Sequence, residues 1–209
     1  MNILCLLLGI FTFVELNCEN LFDTRHDSLK QDMEFLPDSY HYWNKGRYWK
    51  KLNHIGQEII ACGGEGKAWI LPDMVALCEV ENDSVMHDLT KRSLLRQARY
   101  EYIMTDSPDE RGIDVALLYS PFTFQLLSWH AIRVAPLKDM KPTRDILYAA
   151  GRVITGDTLH VFVLHAPSRS GGELATRQSN GGCKAIASSR GLCSASFFKA
   201  AYSCGRGFQ

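Results

Sequence analysis

Acidic residues are missing from the last part of the chain. All 23 aspartates and glutamates lie at or before Glu173, and residues 178–209 contain four bases and no acid. Residues 1–177 therefore hold 19 bases against 23 acids, a net charge of −4. This balance excludes a broad basic surface for nucleic acid or for an anionic membrane. The tail also holds three of the seven cysteines, so the amino-acid composition changes abruptly near residue 177.

Long uncharged apolar runs are absent as well. No stretch of about 18 such residues occurs, which argues against a helix that spans a bilayer. The apolar run over residues 3–14 has no basic residue before it and no small-x-small cleavage site after it. We interpret its second half as the first strand of the domain and predict a cytoplasmic location. Export is the alternative, if residues 1–14 act as a signal segment.

Cysteine spacings that would indicate a zinc site or a disulfide framework are lacking. The tail cysteines are spaced ten and eleven residues apart, and this matches no zinc pattern. The other cysteines lie in apolar or strand-like runs, where they are typical small buried hydrophobes. A reducing compartment fits this usage best.

Hydrophobic periodicity predicts two helices among many strands. Strands are predicted over 10–17, 74–78, 100–105, 113–119, 123–129, 145–150 and 159–165, and helices over 47–62 and 84–97. Residues 24–46 are polar and predict a long loop. The second helix is expected to be capped by Asp83 or Ser84 and to turn Leu94 inward. Strand, helix, strand, helix and then a run of strands indicates a mixed sheet in an α/β layered fold.

Three predicted strands end in polar clusters, over residues 16–23, 76–82 and 163–172. Catalytic side chains often lie where strands end, because the sheet holds them rigidly while they reach solvent. Each cluster alone is a weak signal, since a glutamate or a histidine at a strand end is usually structural. Together they fit metal-assisted phosphoester chemistry. Glu79 with Asn17 or Glu19 offers the hard oxygen ligands that Mg²⁺ prefers.

Six motifs occur in order along the chain. They are Asn17–Asp23, Cys78–Asn82, Thr105–Asp109, Arg111–Tyr119, Thr143–Leu147 and His165–Gly172. Together they resemble the endonuclease/exonuclease/phosphatase superfamily, which has the fold of pancreatic deoxyribonuclease. The resemblance is closest to the superfamily's bacterial branch and holds from about residue 10 to residue 177.

The resemblance implies an α/β (α+β) four-layer sandwich of two mixed β-sheets flanked by helices, incomplete at the C-terminus. Residues 10–177 would form the N-terminal portion of such a domain. Residues 178–209 would be an aberrant tail of low acid content outside the fold. Both helices are expected on the outside of the first sheet.

The resemblance also implies a Mg²⁺ (or Mn²⁺) cofactor and a hydrolase site. His165 and Asn17 would be catalytic, and Glu79 and Glu19 would bind the metal. Phosphate or substrate contacts are implied for Arg169, Arg111, Arg144 and Ser168. Asp114 would be structural or orienting. A structural salt bridge is an equal interpretation for Asp114 and Arg144.

Two blocks that the family carries after its histidine motif do not occur in these 209 residues. They are Gly-Asp-x-Asn and a terminal Ser-Asp-His, whose side chains position and deprotonate the attacking water. The chain has no aspartate after Asp157 and no histidine after His165. We therefore expect a Mg²⁺-dependent phosphoester hydrolase by descent that is essentially inactive as this chain. The alternative is a non-enzymatic fragment that binds a divalent ion or phosphate weakly.

The tail has the composition of out-of-frame translation, with a divergent natural C-terminus as the alternative. The substrate class stays open between nucleic acid and small phosphoesters, and no protein partner is predicted. Five aromatics alternate with bases over residues 40–51, a pattern that can stack on single-stranded nucleic acid. We favour the simpler interpretation, a loop leading into a docked helix whose Trp49 lies in the core.

Overall fold

The computed structural model describes residues 4–8, 11–65, 68–136, 141–166, 180–181 and 197–200. Two residues with predicted phosphate contacts, Ser168 and Arg169, lie outside this described part.

Strands dominate the described residues. They are β1 (Leu4–Leu8), β2 (Phe11–Leu21), β3 (Gly64–Glu65), β4 (Ala68–Trp69), β5 (Met74–Val80), β6 (Glu101–Met104), β7 (Asp114–Tyr119), β8 (Phe124–Ile132), β9 (Ile146–Val153), β10 (Thr158–Val163) and β11 (Phe197–Ala200). The α-helices are α1 (Lys45–Ala61) and α2 (Asp83–His87). Short 3₁₀ segments cover Met33–Phe35 and Leu94–Ala98, and a π-helical turn covers Asp88–Arg92.

Two larger sheets face each other. The first has the strand order β1-β2-β5-β7-β6 and the second the order β11-β10-β9-β8. Alternation along the strands divides the apolar side chains, because successive residues point to opposite faces. On β2, Phe13 packs in the cluster between the sheets, whereas Val14 and Leu16 pack on the helix side. The predicted sandwich of two mixed sheets with outer helices is confirmed.

Helix α1 begins after Asn44, whose side chain accepts a hydrogen bond from Arg47 N at 3.1 Å. Leu52, Ile55 and Ile59 recur on one face of the helix and are buried against the first sheet. Trp49 is half-buried and packs against the same cluster. Val85, Met86 and Leu89 of the second helical segment lie in the same cluster, which confirms that both segments lie on the outside of the first sheet.

The second predicted helix, over 84–97, is wrong as one continuous helix. Ser93 interrupts it, because this residue has an extended backbone conformation and its hydroxyl bonds the carbonyl of Leu89 while accepting from Leu95 N. The cap is also one residue earlier than expected, since Asn82 accepts from Val85 N at 3.0 Å. The interruption shifts the helix face, so Leu95 is buried and Leu94 is 42% exposed.

Four strands were not predicted: β1, β11 and the two-residue strands β3 and β4, which pair with each other. β1 pairs antiparallel with β2, and β11 pairs parallel with β10 at the edge of the second sheet. β11 lies within residues 178–209. Most of residues 178–209 lie outside the described part, and the division into residues 10–177 and 178–209 stays a prediction.

Within the described residues, no helix combines the length and the apolar character needed to cross a membrane. Cys18, Cys62 and Cys78 are free thiols. Cys18 and Cys78 are buried among apolar residues, and burial raises the pKa of both thiols. Their role as small core residues agrees with the sequence interpretation.

Candidate active site

The candidate site lies where the parallel neighbours β2 and β5 end. Their pairing is regular from Phe13 with Met74 to Asn17 with Cys78, and the register then shifts before Leu21. A second shift separates Cys78 from Val80 in the pairing of β5 with β7. Bulges of this kind re-aim side chains at sheet ends. Here they bring polar residues near the ends of β2 and β5 toward one another.

Three non-glycine residues at these bulges have left-handed backbone conformations. Their φ angles are 52° at Glu19, 64° at Asn20 and 61° at Glu79. Such conformations cost about 1–3 kcal/mol each and persist only where surrounding contacts impose them. Here the contacts of Glu79 with Asn17, Asn20 and His165 impose the arrangement.

Both carboxylate oxygens of Glu79 are held. Oε1 accepts a hydrogen bond from Asn17 Nδ2 at 3.3 Å and lies 3.3 Å from His165 Nε2. Oε2 accepts from the backbone N–H of Asn20 at 2.9 Å. The structure thus gathers Asn17, Glu79 and His165, three residues singled out from the sequence, around one carboxylate.

The electrostatics keep this carboxylate ionised. Burial of Glu79 acts to raise its pKa, but the hydrogen bond and charge of His165 act against it, followed by Asn17 and Arg111. The result is a pKa lowered to about 2. Glu79 therefore carries a negative charge at any pH near neutrality, as a metal-binding carboxylate must.

Glu19 is placed differently from Glu79. It is exposed, and its contacts are made by its backbone: its N–H donates to Asn17 Oδ1 at 2.9 Å, and its carbonyl accepts from Lys51 Nζ. The described residues give its carboxylate no hydrogen bond or ion pair. Its predicted role as a metal ligand stays a prediction.

Arg111 reaches the same place from another loop. Its Nη2 donates to Asn20 Oδ1 at 2.6 Å, and its charge contributes to the lowered pKa of Glu79. Asp114 anchors this loop by accepting from Thr105 Oγ1 at 2.6 Å and from Ser107 N at 3.1 Å. Burial raises the pKa of Asp114. The orienting role of Asp114 stays a prediction.

Arg144 is buried, with its side chain only 8% exposed, and its Nε lies 3.4 Å from Asp109 Oδ2. Asp109 therefore holds the ion pair that the sequence had suggested for Asp114. Burial lowers the pKa of Arg144, whereas the charges of Asp109 and Glu79 act to raise it. The Arg144 side chain thus interacts electrostatically with Glu79 while Asp109 holds it in place.

The donor set fits a hard divalent cation. Glu79 supplies an ionised carboxylate, and Asn17 adds an amide oxygen at the same strand end. Within the described residues, no group of three or more His, Cys, Asp or Glu side chains is placed to hold a metal. Mg²⁺ needs no such group, because it is held by one or two carboxylates and keeps waters and substrate oxygens as its other ligands.

A sequence model of the Endonuclease/Exonuclease/phosphatase family matches residues 12–190. The chain belongs to this family. No curated protein sequence matches it significantly.

Solved structures with the family's fold resemble this chain at low identity. The human Nocturnin catalytic domain, solved with a sulfate anion, is 23% identical over 69% of this chain and 51% of its own, with a TM-score of 0.50. A humanised D. rerio TDP2 is 14% identical over 88% and 57%, with a TM-score of 0.55. A mannosyl-6-phosphatase of Bacteroides thetaiotaomicron is 15% identical over 70% and 53%, with a TM-score of 0.51. The chain spans just over half the length of these structures.

Three residues of the candidate site were not singled out from the sequence: Asn20, Lys51 and Asp109. Asn20 lies inside a quoted motif, but only the fold shows that its backbone binds Glu79. Lys51 lies in the aromatic and basic segment interpreted as a loop leading into a helix. Asp109 appeared only as part of a motif. Nothing in sequence spacing could show these contacts, because they join residues 31 to 91 positions apart or use backbone atoms.

A cavity of about 480 Å³ lies between the starts of α1 and α2, and Asp23, which follows β2, also lines it. Its lining includes Asp23, Tyr48, Trp49, Asp88 and Arg92. Tyr48 and Arg92 both bond Asp88, at 3.0 and 2.8 Å, and the Arg92 guanidinium lies over the Trp49 ring. These polar groups of the cavity therefore bind one another.

Glu81, two residues beyond Glu79, also has a perturbed carboxyl group. Its burial, with the charges of Asp23, Asp32 and Asp27, raises the pKa to about 8, although the Asp23 N–H bonded to Oε2 at 2.6 Å acts to lower it. The folded chain therefore binds this proton more tightly than the unfolded chain does.

Raising the pH should accordingly destabilise the folded chain through Glu81. The loss begins above the usual glutamate pKa of about 4.5 and is complete above about 8. Glu81→Gln keeps an oxygen that can accept from Asp23 N but removes the titrating group. Urea unfolding at pH 5 and pH 8.5 should show a smaller fall in unfolding free energy for this variant than for the wild type. Equal falls would contradict the assigned pKa.

Proposed function

We propose that this chain carries the metal-binding and phosphate-binding part of a phosphoester hydrolase site that depends on Mg²⁺ or Mn²⁺. The observation that carries the proposal is the ionised Glu79 carboxylate, held by Asn17, Asn20 and His165 at the end of two adjacent strands. Membership in a family of nucleases and phosphatases supports the same reaction class.

Glu79 and Asn17 would hold the metal ion, with Glu19 as a further carboxylate at the same strand end. When bound there, the ion would polarise a phosphoryl oxygen and stabilise charge on the leaving group. The Asn20 N–H and the Asn17 amide fix the direction of the Glu79 carboxylate, so that no reorganisation is needed when substrate arrives.

His165 would move a proton at Nε2 or donate a hydrogen bond to the phosphate. Its Nδ1 is buried and has no hydrogen-bond partner among the described residues. Nε2 lies 3.3 Å from Glu79 Oε1, so the imidazole is already oriented toward the site. A histidine suits this task because its ordinary pKa lies close to neutrality.

Arg111 would contact the phosphate, because its guanidinium lies next to Asn20 and Glu79 at the exposed side of the site. We keep phosphate contacts as the proposed roles of Arg169 and Ser168 as well. For Arg144, the buried ion pair with Asp109 supports action at the site by electrostatic attraction and by positioning the loop that carries Arg111.

Turnover by the 209-residue chain should nevertheless be very low. The Gly-Asp-x-Asn and Ser-Asp-His blocks, which would orient and deprotonate water, do not occur in it. General-base catalysis alone contributes about 10²–10⁴-fold, and positioning of the nucleophile adds a further factor. This absence also favours the second candidate function, a fragment that binds a divalent ion or phosphate without hydrolysing it.

Hydrolysis of bis(p-nitrophenyl) phosphate, p-nitrophenyl phosphate and single-stranded DNA, each with Mg²⁺ and with Mn²⁺, tests this proposal. We expect no turnover near the rate of about 1–10³ per second typical of enzymes. Turnover at such rates, unchanged in Glu79→Gln, would identify a contaminating enzyme. Turnover that Glu79→Gln abolishes would confirm the hydrolase site but overturn the expected inactivity. The relative rates would then decide between diester and monoester substrates.

A cytoplasmic location is also part of the proposal.

A further inference from the structure

Lys51 is a half-buried cation at the candidate site that the proposed mechanism does not use. It lies on α1, and its ammonium group donates to the carbonyl of Glu19 and, at 3.0 Å, to the carbonyl of Asn20. The same group lies 5.5 Å from the centroid of the Trp43 ring. A lysine that gives up hydration to bind two consecutive carbonyls fixes the backbone that carries them.

The two carbonyls belong to the left-handed residues of the bulge, with φ angles of 52° at Glu19 and 64° at Asn20. The Asn20 N–H is the donor that holds Glu79 Oε2 at 2.9 Å. Lys51 and Glu79 thus bind the same short segment in different ways, Lys51 through its carbonyls and Glu79 through its N–H.

We propose that Lys51 is a positioning residue that keeps the Glu19–Asn20 segment in its left-handed conformation and thereby aims the Glu79 carboxylate at a divalent cation. The inference rests on the proposed function, because it gives Lys51 a role in metal binding at the same site. Lys51 itself touches neither substrate nor metal.

Charge alone predicts the opposite result from positioning. Lys51 interacts electrostatically with both Glu19 and Glu79. If it acted only as a nearby positive charge, its removal would strengthen the attraction of the site for a cation. If it positions Glu79, its removal should weaken cation binding. The sign of the change therefore distinguishes the two roles.

The test compares the wild type with Lys51→Met, Lys51→Arg and the control Lys50→Met, which removes an exposed charge from the same helix. Free Mn²⁺, measured by electron paramagnetic resonance, gives the affinity of each protein. Hydrogen exchange of the Asn20 amide, measured by NMR without metal, reports the bond to Glu79 independently. Thermal unfolding shows whether each variant is folded, and Lys51→Gln replaces Lys51→Met if the latter does not fold.

We expect Lys51→Met to weaken Mn²⁺ binding about 10–100-fold, the usual effect of losing a partner that orients a metal ligand. Asn20 amide exchange should accelerate in this variant, Lys51→Arg should restore most of both properties, and Lys50→Met should match the wild type. Unchanged or tighter Mn²⁺ binding in Lys51→Met would overturn the proposal. If the wild type binds no Mn²⁺, the proposed function fails, and unchanged Asn20 exchange in Lys51→Met would then reject the positioning role as well.

Discussion

Glu79→Gln should abolish measurable Mn²⁺ binding while leaving the chain folded. The substitution removes the carboxylate that the structure holds ionised at the strand ends, with a pKa of about 2. It also replaces an acceptor for both Asn17 and Asn20 by an amide with a single oxygen. We expect a loss of affinity greater than the roughly 10–100-fold that follows loss of an orienting partner. Isothermal titration with Mn²⁺ measures it.

Glu101→Gln is the matched control for this substitution. Glu101 is also an ion-paired carboxylate, bonded to Lys91 at 2.8 Å, but it lies on the edge strand β6. This variant should bind Mn²⁺ as the wild type does. If both variants bind Mn²⁺ as tightly as the wild type, the metal is not held by Glu79.

Gly151→Ala should strongly destabilise the fold. Gly151 lies in β9, where an added Cβ would be 2.2 Å from the Phe124 ring and 2.6 Å from the carbonyl oxygen of Gln125. A side-chain rotation can relieve the first contact but not the second, because the second involves backbone. The strand pair β8–β9 must therefore shift, at a cost of about 3 kcal/mol. Thermal unfolding should show a midpoint lower by about 6–12 °C.

Gly156→Ala separates this packing effect from the general cost of replacing a glycine. Its added methyl would meet nothing within 4 Å, and only its φ of 92° disfavours a side chain. We expect a loss of about 1 kcal/mol for this variant. A loss in Gly151→Ala no larger than in Gly156→Ala would show that the second sheet accommodates a Cβ at position 151.

Regular periodicity explains which parts of the fold were predictable. Leu52 and Ile59 recur at helical spacing and indeed face the first sheet, and the apolar run from Met74 forms the buried strand expected of it. Periodicity could not reveal the break at Ser93, because a serine hydroxyl competes for backbone groups only when the local geometry allows it. β11 was missed because residues 197–200 show no alternation of polar and apolar side chains.

The site was predictable as a set of residue types but not as a geometry. Motif order indicated Asn17, Glu79 and His165, and the structure places these three side chains together. The bulges that make their contacts possible depend on left-handed residues that are not glycine, which sequence rules disfavour. Lys51 stood out only as one base of the aromatic and basic segment over residues 40–51, because its contacts with two backbone carbonyls cannot be seen in the sequence.

The most direct test is a crystal structure of the chain soaked in Mn²⁺, with anomalous diffraction used to locate the ion. We predict an anomalous peak within coordination distance of a Glu79 carboxylate oxygen, next to Asn17 and across from His165. A peak in the cavity lined by Asp23 and Asp88, with none at Glu79, would contradict the assignment of this strand end as the metal site.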